Sequence, residues 1–266
     1  TPVYVDSDDY MLMDADKIES LITEKTKAIL PVHLYGQACR MDRIKELAEK
    51  YNLFLVEDCA QSHGARVHGK CTGTFGDMGC FSFYPTKPLG AFGDAGAIVT
   101  NNDELAEKLI MLRNYGSRKK YHNELQGLNS RMDEIQAAIL RTGLTHMDEN
   151  TEIRRKIAGK YMKEIDNPAI ILPRVYRAEG HVFHLFPIIT DNREKLQSYL
   201  KENGIDTQIH YPVPPYLAEC YRSHKYQKED YPNASFVAEH EVSLPIYAGM
   251  PEEEVDYVIR VINHYR

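Results

Sequence analysis

The chain of 266 residues is 43% hydrophobic and 27% charged, the profile of a globular protein with room for one large domain or two. Lys and Arg number 32 against 39 Asp and Glu, a net charge of −7 with the signs interspersed, which argues against a nucleic-acid-binding protein. No apolar run approaches the roughly 18 residues of a membrane span, and the opening TPVYVDSDDY lacks the layout of a signal peptide, so a cytoplasmic protein without a membrane partner is expected.

The first half alternates strand and helix. VYV (Val3 to Val5) and AILPVHL (Ala28 to Leu34) read as strands, with an amphipathic helix near Ala15 to Ile22 between them and Asp14 placed to cap it. MDRIKELAEKYN follows as a helix, then LFLVED (Leu53 to Asp58), a mostly apolar run suited to a buried parallel strand. GCFSFY and AGAIVT read as two further strands before the helix DELAEKLIMLRNYG. This succession predicts a layered α/β domain with a largely parallel sheet.

From Met132 to about Glu164 the pattern is long and helical. Beyond it, VFHLFPIIT, the helix NREKLQSYLKENGI, the strand TQIHYP and the closing helix PEEEVDYVIRVINHY predict a smaller α+β domain. The proline-rich stretch PVPPYLAECYRSHKYQKEDYPN reads as a loop. The expected division is residues 1–145 and 146–266.

Cys39, Cys59, Cys71, Cys80 and Cys220 are odd in number and never form a C-x-x-C pair, so they read as reduced thiols. Cys59 and His63 alone do not make a closed metal site, and no metal is expected.

Ligands of open α/β sheets settle at the carboxyl ends of the strands, where Asp58 stands. An aspartate there serves a ligand or caps the next helix, and Gln61 beside it adds a neutral donor and acceptor. Lys87 follows in SFYPTKPLGAFGDAGAIVT, framed by Pro85, Pro88 and three glycines. Its turn lies beyond CFSFY and so reaches the same sheet edge. A lysine becomes a nucleophile near neutrality only when burial or a cationic neighbour lowers its basicity. A buried lysine with an aspartate is the pair pyridoxal phosphate needs: the amine holds the aldehyde, and the carboxylate keeps the pyridine nitrogen protonated. Ser82 could offer a hydroxyl to the phosphate.

Four blocks, EDCAQSHGA, GTFGDMGCFSFYPTKPLGAFGDAGAIVTNNDELA, GLNSRMDEIQAAIL and SLPIYAGMPEEEVDYVI, together resemble the DegT/DnrJ/EryC1/StrS family of pyridoxal-phosphate-dependent sugar aminotransferases, over Val3 to nearly Tyr265. The resemblance implies a type I-like aminotransferase fold with a large cofactor-binding domain and a smaller C-terminal one. It places Lys87 on the lysine that carries the cofactor, Asp58 on the acid paired with the pyridine nitrogen, Gln61 near the ring oxygen and Ser82 on a phosphate ligand. Asn129 matches an asparagine that reaches the phosphate of a neighbouring subunit, which implies a homodimer with shared sites. A further phosphate-binding turn and an aromatic cover for the cofactor are expected ahead of Thr1, so the large domain reads as incomplete at its N-terminus.

The resemblance also implies glutamate as amino donor and a nucleotide-linked keto-deoxysugar as acceptor. HYPVPP, from His210 to Pro215, is similar to the versions in 3-keto-6-deoxyhexose aminotransferases. His210 and Tyr211 then either touch the sugar or bond locally, and His33 in HLYGQ is open in the same way. Two alternatives stand beside this reading: the family's sugar dehydratases, which carry histidine where Lys87 stands, and a non-catalytic cofactor-binding regulatory module.

Overall fold

The computed structural model describes residues 1–266. Its elements run α1 (Ile18–Leu21), β1 (Ala28–Ile29), α2 (Met41–Lys50), β2 (Phe54–Asp58), a small hairpin of β3 (Arg66–Val67) and β4 (Lys70–Cys71), β5 (Met78–Ser82), β6 (Gly96–Val99) and α3 (Asp103–Leu112). A second hairpin, β7 (Ser117–Lys119) and β8 (His122–Asn123), precedes α4 (Glu134–Leu144) and α5 (Met147–Glu164). There follow β9 (Phe186–Ile189), α6 (Arg193–Glu202), α7 (Pro232–His240), β10 (Glu241–Leu244) and α8 (Glu252–His264).

The central sheet has the order β1-β2-β5-β6. The first three strands are parallel, as expected, and Asp58 pairs with Cys80 so that β2 and β5 end at one edge. Edge strand β6 is antiparallel to β5. A parallel return needs a crossover, usually helical, whereas the segment from Phe83 to Ala95 is a tight loop closed by Phe83 N–H on Ala95 O and Ala91 N–H on Phe83 O. Lys87 lies in that loop.

The two larger of three apolar clusters are the main cores, and the third packs Leu89 and Ala91 of the Lys87 loop on Leu140 of α4. One main core gathers Leu55 of β2 with Met41, Ile44, Leu47 and Ala48 of α2, the apolar stripe of a helix laid on the sheet. The other surrounds β9 and β10 with Tyr161 of α5, Leu196 and Leu200 of α6, and Val255, Val258, Ile259 and Ile262 of α8. No helix is long and apolar enough to cross a membrane.

Several sequence expectations give way. Val3 to Val5 finds no ladder partner; Val5 packs on the first core while Tyr4 sits among the rings of Tyr216, Tyr226 and Tyr231. Asp14 does not cap α1, which shrinks to one turn with Lys17 at its N-cap; its carboxylate accepts Asp16 N–H instead. The strand from Ala28 stops at Ile29 because Pro31 has no N–H, and only an isolated bridge from Val32 to Asp58 continues it. The long helix breaks at Thr145 and His146, and TQIHYP keeps a single bridge, Gln208 to Ser243. Helix α7 and strand β10 fall where a loop and an unassigned stretch were read.

The two bodies meet at the turn after β1. Tyr35 and Gly36 both have positive φ, 59° and 91°, and Gly36 O accepts Val182 N–H at 2.9 Å. A Cβ on Gly36 would come within 2.8 Å of Val182 Cγ2 and 2.9 Å of His184 N. Gly36→Ala should therefore destabilise the fold by about 3 kcal/mol, strain and overpacking together, measurable as a lowered urea midpoint with an unchanged slope.

Candidate active site

Strand alternation gives two adjacent carboxylates opposite surroundings. Glu57 is fully buried and accepts the N–H groups of Gly73, Phe75 and Gly76 and the Nε2–H of His33. Burial alone would raise its pKa, but the hydrogen bonds from His33, Gly73 and Gly76 outweigh that and lower it. Asp58 points the other way, half-buried, with Oδ1 accepting Ala60 N–H at 3.0 Å. It edges a depression of about 330 Å³ lined by Leu30, Val56, Ala60, Cys80 and Ser82.

Lys87 is held where the sequence framing predicts. Its N–H donates to Tyr84 O at 2.9 Å, and Gly90 lies so close to Pro85 that a Cβ there would be 2.5 Å from the Pro85 carbonyl. The side chain is half-buried, and desolvation lowers its pKa against the opposing pull of Asp58. The pair is thus near enough to interact, yet the amine is less basic than a free lysine.

Gln61 Oε1 accepts Tyr35 N–H at 2.5 Å, which orients the amide so that Nε2 donates to Tyr211 Oη at 3.0 Å. Tyr35 Oη donates to His210 O at 2.6 Å. Gln61, Tyr211 and His210 therefore form one assembly across the two bodies, and the Asp58 charge reaches Tyr211 as the Lys87 charge reaches His210.

His33 is corrected as a substrate contact. It is fully buried, its Nδ1 accepts Cys39 N–H at 3.1 Å, and its Nε2 is spent on Glu57, leaving no atom for a ligand. Ser82 stands at the end of β5, half-buried, with Oγ accepting Tyr84 N–H at a long 3.3 Å. Asn129 is exposed, its backbone bridged to Asn114 beside the β7–β8 hairpin, and no hydrogen bond joins it to the other site residues of its own chain. Cys59 lies with His33 and Glu57, their ligand atoms within 4.8 Å of one another, but the histidine and the carboxylate are already used.

Sequence reasoning missed His63 and His184. His63 is 2% exposed, rests against the rings of Phe81 and Phe83, and neither of its nitrogens has a hydrogen-bond partner; His184 Nδ1 is also unpartnered. Burial, helped by the nearby Lys87 charge, lowers His63 to about 4, and burial beside Arg154 and Lys87 lowers His184 further. Both are neutral near pH 7. Arg154 spends one nitrogen on the carbonyls of Phe183, His184 and Ile246. His63 was legible inside EDCAQSHGA; the others come from segments far apart in the chain.

A lysine and an acid at neighbouring strand ends of a mixed sheet suit an aminotransferase-type site. The model of the DegT/DnrJ/EryC1/StrS aminotransferase family matches residues 1–263, and the chain belongs to that family. It is 50% identical over its whole length to the dTDP-3-amino-3,6-dideoxy-alpha-D-galactopyranose transaminase of Aneurinibacillus thermoaerophilus, covering 73% of that protein. It is 45% identical to the dTDP-3-amino-3,4,6-trideoxy-alpha-D-glucose transaminase of Streptomyces venezuelae, covering 70% of it. The crystal structure of S. venezuelae DesV superposes with a TM-score of 0.95 at 44% identity, over 99% of this chain and 71% of that one. NtdA of Bacillus subtilis, solved with bound cofactor PMP, superposes with a TM-score of 0.90 at 34% identity, over 99% and 62%.

The neutral histidines predict a pH dependence of stability. Their folded-state pKa values lie below the unfolded value of about 6.5, so the unfolded chain binds protons that the folded one refuses. Stability is full above that pH and falls as pH drops toward about 4 for His63, by roughly 1.4 kcal/mol per pH unit for each histidine. Thermal melting across that window should show the slope, and His63→Leu should flatten it.

Proposed function

We propose that the protein is a pyridoxal-phosphate-dependent aminotransferase that moves an amino group from glutamate to a keto group of a nucleotide-linked 6-deoxyhexose, at C3. The observation that carries this reading is Lys87, lowered in basicity by burial and facing Asp58 from the neighbouring strand end. The relatives named as dTDP-3-amino-sugar transaminases support the acceptor class.

The donor set fits the cofactor. Lys87 Nζ would hold its aldehyde, Asp58 its pyridine nitrogen, the spare N–H of Gln61 its ring oxygen and Ser82 Oγ its phosphate, with Asn129 of a second copy completing the phosphate site. Bound there, pyridoxal phosphate supplies an electron sink for a carbanion. Asp58, tied to Ala60 N–H, would supply the counter-charge for a protonated ring nitrogen. Lys87 Nζ would take a proton from the reacting carbon and return one, a role that its lowered basicity favours. Val56, Leu30 and Ala60 give an apolar floor that sheds water. We assign residues 1–145 to the cofactor-binding domain and 146–266 to the substrate-facing one, in a cytoplasmic enzyme.

Borohydride treatment with cofactor present should fix the cofactor to the peptide containing Lys87, read by mass spectrometry. Lys87→Ala should lose that attachment and roughly 10³-fold in turnover; turnover near that of the parent would refute the reading. Asp58→Ala should lower kcat far more than the melting temperature, whereas a purely structural aspartate would show the reverse. If Asn129 completes a partner's site, cofactor binding and dimerisation strengthen one another. Sedimentation at several concentrations should then show pyridoxal phosphate suppressing dissociation, and Asn129→Ala should abolish that linkage.

A further inference from the structure

Strand β10 turns Glu241 and Ser243 to one face, and the bridge from Gln208 to Ser243 lays the segment leading to His210 alongside them. Three contacts result. Ser243 Oγ donates to Glu241 Oε1 at 2.5 Å, His210 N–H donates to Glu241 Oε2 at 2.7 Å, and His210 Nδ1 lies 2.9 Å from Ser243 Oγ. A serine hydroxyl has one hydrogen. With that hydrogen given to the carboxylate, Ser243 Oγ accepts from the ring, so Nδ1 carries the imidazole hydrogen and Nε2 is a bare acceptor.

His210 is anchored to the site from its other side. Its carbonyl receives Tyr35 Oη, and Tyr35 N–H is held by Gln61. Burial and the charge of Lys87 both disfavour its cationic form. The charged or titratable groups facing Glu241 are His210, Arg193, Tyr35 and Tyr211. Arg193 favours the ionised carboxylate, and the two tyrosines are neutral.

We propose that Glu241, acting through Ser243, sets the hydrogen-bonding polarity of His210, so that Nε2 accepts a hydrogen bond from a hydroxyl of the sugar substrate when Glu241 is ionised and donates one when it is protonated. The reversal takes up one proton. Nε2 gains it from solvent, the Nδ1 hydrogen passes to Ser243 Oγ, and the Ser243 hydrogen passes to Glu241 Oε1. The other carboxylate oxygen keeps accepting His210 N–H in both states. Burial raises the Glu241 carboxyl to about 7, so the reversal falls in the neutral range, with the acceptor form above that pH and the donor form below. Glu241 is a positioning residue in this scheme. Assigning the sugar to Nε2 rests on the aminotransferase reading above; the tautomer does not.

The test is heteronuclear NMR of the protein labelled with ¹⁵N-histidine, with His210→Gln identifying the signal, at pH values well above and below about 7. The parent should show Nδ1–H at high pH and Nε2–H at low pH. In Glu241→Gln the amide oxygen must take His210 N–H, so its NH₂ donates to Ser243 and His210 should be Nε2–H at every pH. Ser243→Ala, which keeps the strand but cuts the chain, should abolish the pH step. An Nε2–H ring in the parent at high pH, or an unchanged tautomer in Glu241→Gln, would overturn the proposal. With the tautomer reversed, KM for the nucleotide-linked sugar should rise about tenfold, the worth of one hydrogen bond, while borohydride still fixes cofactor to Lys87. An unchanged KM would remove the substrate contact. Failure to fix cofactor in the parent would instead refute the aminotransferase reading and leave the tautomer result standing.

Discussion

A charge with no exposure to water organises the sheet edge on which the site is built. Glu57 would be costly to bury alone, and it is tolerated because donors fill its lone pairs from two directions: His33 on one side, and the N–H groups of Gly73, Phe75 and Gly76 on the other. His33 passes the constraint on by accepting Cys39 N–H. The end of β2, the Gly73–Gly76 loop and the His33–Cys39 turn are thereby fixed to one another. With Glu57 locked inward, the two-residue period of a strand sends Asp58 toward the ligand side. Its orientation follows from a neighbour that never touches a ligand.

The same turn grips the second body. Gln37 accepts Tyr176 N–H and donates to Arg174 O, Gly36 O takes Val182 N–H, and Arg154 and Arg155 tie carbonyls between Glu179 and His184 back to α5. Between the bodies, whose main apolar cores are separate, Tyr4 packs on Tyr216, Tyr226 and Tyr231 and Tyr10 on Tyr176, and the hydrogen bonds of Gln37 and Gly36 fix the geometry. Such contacts are directional. Gln61 extends the arrangement by joining Tyr35 to Tyr211, which lets the C-terminal body present His210 near Lys87.

The parts legible in the sequence are those encoded locally. Helices α2, α3, α6 and α8 carry their own apolar stripe, and LFLVED declares a buried strand by composition. Lys87 and Asp58 were legible because a proline-and-glycine frame and a strand end are local signals. What failed depended on partners elsewhere. Val3 to Val5 has strand composition but no neighbour to pair with, and Asp14 is a good cap beside a helix that starts too late. His33 resembled a ligand contact until Glu57, 24 residues on, claimed its ring. Glu241 and Ser243 gave no local signal, since their meaning lies in meeting His210 across 31 and 33 residues.

The electrostatics around Lys87 also depend on folding rather than composition. The chain as a whole carries −7, yet within the site Asp58 faces Lys87, with Arg154 behind, while His63, His184 and His210 are held toward neutrality by burial. Glu57 is compensated by its own donors. Local potential depends on which charges are near and unscreened, not on the total. The depression beside Asp58 is lined by apolar groups and the Ser82 hydroxyl, with the Lys87 amine close enough to feel the Asp58 charge. Protonating the histidines would crowd more positive charge around Lys87 and depress its basicity further.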